Sequence, residues 1–149
     1  MVDRSLVGRC GLYCGACSIY RAYIDGGEPK KTLAEKFKIT EDKVRCNGCS
    51  ALTPECWGTG CKIVKCLDDK GYKFCYECDS FKDRTCEKYE KIAVGYLERG
   101  EDMRKNLERI ESGDTVAWLL EQDIRWRCPS CGHPISVWWK KCTACYETL

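Results

Sequence analysis

At 149 residues and 17.1 kDa, the chain is long enough for one domain, or for a small domain with an appendage. A net charge of +2 argues against the strongly basic surface of a nonspecific nucleic-acid or membrane binder. The longest apolar run, residues 116–120, is far too short to span a membrane, so no membrane association is expected.

The fifteen cysteines, set against a single histidine, dominate the composition. Residues 1–7 lack the basic patch and apolar core of a secretion signal, so we expect a cytoplasmic protein, in which disulfides rarely persist. The cysteine count is odd, and the spacing Cys-x-x-Cys occurs five times. Such pairs are well placed to bind one metal ion. The sequence therefore predicts a metal-binding protein.

Residues 1–92 form the first predicted unit, a cysteine-rich metal-binding domain. Its apolar residues are few, so we expect bound metal to supply much of its folding free energy. Short helices are predicted at 17–25, ended by Gly26-Gly27, and at 31–38, with a further turn at 41–44. No role is assigned to Cys56. The candidate metal ligands of this unit are Cys10, Cys14, Cys17, Cys46, Cys49, Cys61, Cys66, Cys75, Cys78 and Cys86.

Residues 93–124 are predicted to be a helical connector that packs on the cysteine-rich unit. Apolar residues recur at three- and four-residue steps from Tyr89 to Ile110, and Gly100 divides this pattern into two helices. A further helix is predicted at 115–122, with Val116, Leu119 and Leu120 facing inward.

Residues 125–149 are predicted to be a zinc ribbon. Two Cys-x-x-Cys knuckles place four thiolates around one ion, with a β-hairpin over residues 135–141 between them. The same geometry holds a single iron in rubredoxins, which share the Cys-Pro-x-Cys-Gly form, so iron stays an alternative to zinc. His133 is expected to be a surface or hairpin residue and not a ligand. The four ligands are Cys128, Cys131, Cys142 and Cys145.

The tryptophans are interpreted as packing residues. Trp118 and Trp126 are expected to join the helices to the ribbon, and Trp138 and Trp139 to pack on opposite faces of the tail. Stacking of bases on the last two, beside Lys140-Lys141, is the alternative. Because so few basic residues are available there, we do not expect nucleic acid as the partner.

The spacing Cys10-x3-Cys14-x2-Cys17 leaves two interpretations open. It resembles the cluster motif of radical S-adenosylmethionine enzymes, but the chain lacks the length and the strand–helix alternation of their barrel. The triplet is therefore interpreted either as ligands of an iron–sulfur cluster without that chemistry, or as thiols beside two structural zinc sites.

The order of the cysteine motifs carries a family resemblance. The motifs are Cys10-Gly11-Leu12-x-Cys14-x-x-Cys17, Cys46-x-Gly48-Cys49, Cys61-Lys62-Ile63-x-Lys65-Cys66, Cys75-x-x-Cys78 and Cys86-Glu87-Lys88. Over residues 6–92 they resemble a family of cysteine-rich domains of unknown function from anaerobic bacteria and archaea. The resemblance implies zinc or iron binding and supplies no substrate.

These observations predict a small, metal-stabilised α+β or irregular fold. It would comprise a cysteine-rich N-terminal domain, a helical connector and a C-terminal zinc ribbon. The leading hypothesis is a zinc-binding adaptor module with a protein partner, more in keeping with a binding protein than with an enzyme. The alternatives are an iron–sulfur protein of redox or sulfur chemistry, and thirdly a nucleic-acid-binding ribbon. The sequence does not indicate an oligomeric state.

Overall fold

The computed structural model describes residues 2–149, which are mostly helical. Short 3-10 turns and loops, which carry most of the cysteines, connect the helices. The helices are α1 (Ser18–Asp25), α2 (Gly27–Phe37), α3 (Lys62–Lys70), α4 (Asp79–Lys82), α5 (Glu87–Leu97), α6 (Met103–Glu111) and α7 (Thr115–Arg125).

The predicted α+β class is supported only in its helical part. In residues 2–149, β structure is limited to three isolated antiparallel bridges, Val7↔Tyr13, Arg127↔Pro134 and Lys141↔Thr148. The predicted hairpin over residues 135–141 is wrong. The N–H of Val137 donates to the carbonyl of Ala16 at 3.0 Å, and that of Trp139 donates to the Ser136 carbonyl at 3.2 Å, so this segment forms a turn that docks on the N-terminal part of the chain.

The helix boundaries follow local backbone signals. α1 ends at Gly26, whose φ of 64° suits a glycine, as the sequence predicts. α2 begins at Gly27, four residues before the predicted start, and ends where Lys38 adopts a left-handed conformation. The long amphipathic pattern divides near Gly100 into α5 and α6, as predicted, and the Asp102 carboxylate caps α6 by accepting from the Lys105 N–H.

The inward face of α7 differs from the prediction. Val116 and Leu120 are 41% and 52% exposed, whereas Trp118 and Leu119 are buried. Trp118 determines this orientation because its ring packs edge-on against Tyr13, with the ring centroids 6.3 Å apart. Burying the larger aromatic surface turns the two aliphatic side chains toward solvent.

One hydrophobic core extends across all three predicted units. Residues 1–92 supply part of this core, and α6, α7 and the tail complete it, so the cysteine-rich unit does not build its core alone. Its buried members are Val7, Leu12, Tyr13, Ala16, Ile63, Leu67, Phe74, Cys75, Phe81, Tyr89, Met103, Leu107, Ile110, Trp118, Leu119 and Val137.

The C-terminal tail, residues 126–149, packs onto the helical body. Val137 belongs to the main core, and the Ser136 hydroxyl lies 2.8 Å from that of Ser18. Trp138 packs edge-on against Tyr96, at 5.3 Å between ring centroids. Trp126 contacts both the main core and the small buried cluster of the tail, as expected of a docking residue.

No helix within residues 2–149 combines the length and the hydropathy that crossing a bilayer requires.

Candidate metal centre

The four tail cysteines come together as the sequence predicts. Their sulfur atoms all lie within 4.8 Å of one another, and we call Cys128, Cys131, Cys142 and Cys145 the tail thiol group. The sulfurs of Cys128 and Cys145 are 3.6 Å apart, and those of Cys131 and Cys142 are 3.7 Å apart. Four thiolates bound tetrahedrally at about 2.3 Å from one ion stand about 3.8 Å apart, so the group has the spacing of a mononuclear site.

The two knuckles of the tail have the same backbone geometry. Gly132 N–H donates to the Cys128 carbonyl at 2.8 Å, and Tyr146 N–H donates to the Cys142 carbonyl at 3.0 Å. Both donors have positive φ, 75° for Gly132 and 63° for Tyr146. Tyr146 thus adopts the conformation that a glycine usually supplies, although the sequence departs from the knuckle pattern there.

Backbone hydrogen bonds prepare one tail thiol for metal binding. The Cys131 N–H, and after it the Ser130 N–H, donate to the Cys128 sulfur and lower its pKa to about 6. Since a cysteine binds metal as the thiolate, this sulfur is available as a ligand at neutral pH. The neighbouring histidine is not turned to the group, because His133 Nε2 lies 3.2 Å from a carboxylate oxygen of Asp25 on α1.

The N-terminal triplet is placed around a fourth cysteine. The Cys49 N–H donates to the Cys14 sulfur at 3.3 Å. Burial raises the pKa values of Cys10 and Cys17, the latter to about 11, and the nearby Cys49 thiol raises both further. We call Cys10, Cys14, Cys17 and Cys49 the N-terminal thiol group. Its sulfurs are spaced more widely than those of the tail, which form the sole set within 4.8 Å among residues 2–149.

The remaining predicted ligands divide between two places. Cys46 and Cys61 lie near the N-terminal thiol group, since the Cys49 thiol contributes to the raised pKa of Cys46 and Cys61 contributes to that of Cys10. The other four line one cavity between helices and are Cys66, Cys75, Cys78 and Cys86.

Two residues that hydrogen-bond to thiols, Thr53 and Lys70, were not singled out from the sequence. Burial would raise the pKa of Cys56, but hydrogen bonds from the hydroxyl and the N–H of Thr53 lower it. Lys70 Nζ donates to the Cys78 sulfur at 3.3 Å. Thr53 lies three residues before Cys56, a local signal that sequence reasoning can use. Lys70 is the last residue of α3, a helix that was not predicted from the sequence, so its contact with Cys78 was not foreseen.

Comparison with known proteins matches the cysteine-rich part of the chain to a family. The family model described as "Protein of unknown function (DUF3795)" matches residues 6–91, more than half of the chain, and the tail thiol group lies outside that match. Searches of curated proteins and of solved structures gave no match. The chain belongs to the DUF3795 family of proteins of unknown function.

Proposed function

We propose that this protein binds one zinc ion through the tail thiol group and that the ion holds the tail in shape as a docking module for a protein partner. The observation that carries the proposal is the mutual spacing of the four sulfurs, with pairs at 3.6 and 3.7 Å. Four thiolates at that spacing suit zinc. The proposal includes a cytoplasmic location, where thiols stay reduced.

The number of protein ligands supports a binding module over an enzyme. Catalytic zinc sites keep one position for water or substrate, whereas structural sites fill all four with protein side chains. The tail supplies four thiols at tetrahedral spacing, so a bound ion has no open position. The ion would act on the shape of the tail and not on a substrate.

A groove beside the tail supports a protein partner. It has a volume of about 780 Å³ and runs between the α1–α2 turn and the tail. Trp139 and Tyr146 line it, and Tyr146 is 76% exposed. Aromatic side chains of this kind are enriched at protein interfaces because they combine a large apolar surface with a polar group. Tyr146 is part of the second knuckle, so a bound metal ion would also hold Tyr146 in place.

The N-terminal thiol group supports a second candidate function, that of an iron–sulfur protein in redox or sulfur chemistry. The supporting observation is the hydrogen bond from the Cys49 N–H to the Cys14 sulfur, because such bonds to sulfur tune the potentials of iron–sulfur clusters. Wider sulfur spacing also suits a cluster, in which each thiolate binds a different iron atom.

Metal analysis of anaerobically purified protein, with an absorption spectrum, tests both candidates. Zinc in a colourless protein is the result that the zinc proposal predicts. Iron with acid-labile sulfide and visible absorption, retained in Cys131→Ser and lost in Cys14→Ser, would establish the second candidate at the N-terminal thiol group. Protein that contains neither metal and takes up no added zinc would refute the proposal.

A further inference from the structure

A small cavity lies between α3, α4 and α5. Its volume is about 20 Å³, and four cysteine side chains line it. We call them the α3–α5 thiol group; they are Cys66, Cys75, Cys78 and Cys86. About 10–15 Å³ is enough for a particle the size of one water molecule, so the cavity has room for a single ion and not for a larger ligand.

The four thiols reach this cavity from four separate positions of the backbone. Cys66 lies within α3, and Cys75 begins a 3-10 turn. Cys78 and Cys86 are the residues that directly precede α4 and α5. Three of the four side chains therefore belong to residues where a turn or helix begins. A single ion bound here would join α3, α4 and α5.

The surroundings combine apolar walls with two positive charges. Leu67, Phe81 and Tyr89 are buried and line the cavity. Lys70 and Lys88 line it too, and Lys70 Nζ donates to the Cys78 sulfur at 3.3 Å. Four thiolates around a divalent ion carry a net double negative charge, which these two lysines would offset. Such pairing matters because an uncompensated buried charge is costly.

The sulfurs of this group must move closer together to share one ion. In residues 2–149, only the tail thiol group has its sulfurs within 4.8 Å of one another. Rotation about χ1 moves a cysteine sulfur between staggered positions while the backbone stays in place. Because all four side chains already border one small cavity, rotamer changes toward its centre would bring their sulfurs closer together.

We propose that the α3–α5 thiol group is a second metal site, which binds one divalent thiophilic ion, zinc, with four thiolates. Binding would deprotonate the thiols and release their protons to solvent, with no change of oxidation state. The site lies within the family-matched residues and shares no ligand with the tail thiol group. Failure of one site therefore leaves the other unaffected.

Protection of cysteines from alkylation by N-ethylmaleimide tests this site in the full-length chain. Reduced, metal-free protein is titrated with zinc, alkylated, and mapped by mass spectrometry. We expect zinc to slow alkylation of all four members of the α3–α5 thiol group together, by about tenfold or more, since a metal-bound thiolate is a poor nucleophile. The same protection should persist in Cys131→Ser, where the tail site is broken. Equal alkylation rates with and without zinc would overturn the proposal.

Substitution gives a second measurement. Cys78→Ser should lose one equivalent of zinc and the protection of the other three thiols, whereas Ser80→Ala, two residues away, should keep both. If Cys78→Ser fails to fold, the mapping of the unsubstituted chain still decides. Acid-labile sulfide present in the unsubstituted protein and lost in Cys78→Ser would overturn the single-ion form of the site.

Discussion

The indole Nε1 of Trp126 donates a hydrogen bond of 2.9 Å to a carboxylate oxygen of Glu101, whose side chain is fully buried. Trp126 lies where α7 ends and the tail begins, and Glu101 lies between α5 and α6. The amide of Asn106 donates to the other Glu101 oxygen, and the Arg125 guanidinium is 3.8 Å from the carboxylate. One buried acid thus joins the start of the tail to the helical body.

Replacing this acid should destabilise the protein. We expect Glu101→Ala to lower the free energy of unfolding by about 1–3 kcal/mol, because a buried Asn106 N–H loses its partner. Trp126 keeps the Gln122 side chain as a second acceptor, at 3.0 Å, so the indole is not orphaned. Urea unfolding followed by tryptophan fluorescence measures the change. Glu98→Ala, an exposed acid three residues earlier, is the control, and an equal effect of the two variants would contradict the role of Glu101.

Replacing Gly11 should destabilise the protein, because its backbone conformation and the lack of space around it both exclude a side chain. Its φ is 94°, and a Cβ there would lie 2.3 Å from the Met103 carbonyl oxygen. Gly113 has a similar φ of 90° but nothing within 4 Å of the corresponding position. Gly113→Ala should therefore cost only the backbone strain, about 1–3 kcal/mol. Gly11→Ala should lower the Tm clearly more than Gly113→Ala does. Equal losses would show that the contact with α6 is not tight.

The sequence predicts helices well where the local signals are strong. The end of α1 at Gly26 and the break between α5 and α6 near Gly100 follow from glycine and capping chemistry that acts over a few residues. α3 was not predicted, although Gly71 ends it in the same way. On α7, Leu119 is buried as predicted, but Val116 and Leu120 were assigned wrongly because the partner of Trp118 is Tyr13, more than a hundred residues away. No periodicity within one helix contains that contact.

The candidate metal ligands show the same difference between local signals and contacts that only the fold creates. The tail thiol group was predicted completely because its knuckles are local and identical in spacing. The ten N-terminal candidates could not be grouped from sequence, since Cys49 meets Cys14 only when α1 and α2 have folded between them. Cys66 likewise joins Cys86 across a cavity formed by three helices. Spacing along the chain does not encode these distances.

Removal of metal should disorder the tail and spare α6 and α7. The buried cluster of the tail consists of Cys128, Ile135 and Cys142, so two of its three members are proposed ligands. Without the ion this cluster is too small to offset the chain entropy. Hydrogen exchange after chelation should show faster exchange in residues 128–149 and little change in α6 and α7, which hold none of the proposed ligands, with reversal on zinc addition. Tail amides that stay protected after verified metal removal would contradict this.

One ion pair gives a pH-dependent contribution to stability. Hydrogen bonds from the Arg109 side chain on α6 lower the pKa of Glu121 on α7, with one N–O distance of 3.1 Å. A carboxyl group with a lowered folded-state pKa stabilises the fold above its ordinary pKa, and this contribution is lost as the pH falls through the folded value. Glu121→Gln should therefore lower Tm slightly at about pH 7 and not at about pH 3. Glu108→Gln serves as the control, because Glu108 has no ion-pair partner within residues 2–149. A Tm difference that persists unchanged in acid would exclude the pair as its source.

The metal content of Cys131→Ser tests the central claim most directly. Metal per chain is measured for the unsubstituted protein, for Cys131→Ser, and for Ser130→Ala, an exposed side chain of the same knuckle that supplies no ligand. The tail site predicts a loss of one equivalent of metal in Cys131→Ser, because a serine hydroxyl is a poor substitute for a thiolate, and no loss in Ser130→Ala. An unchanged metal content in Cys131→Ser would contradict it.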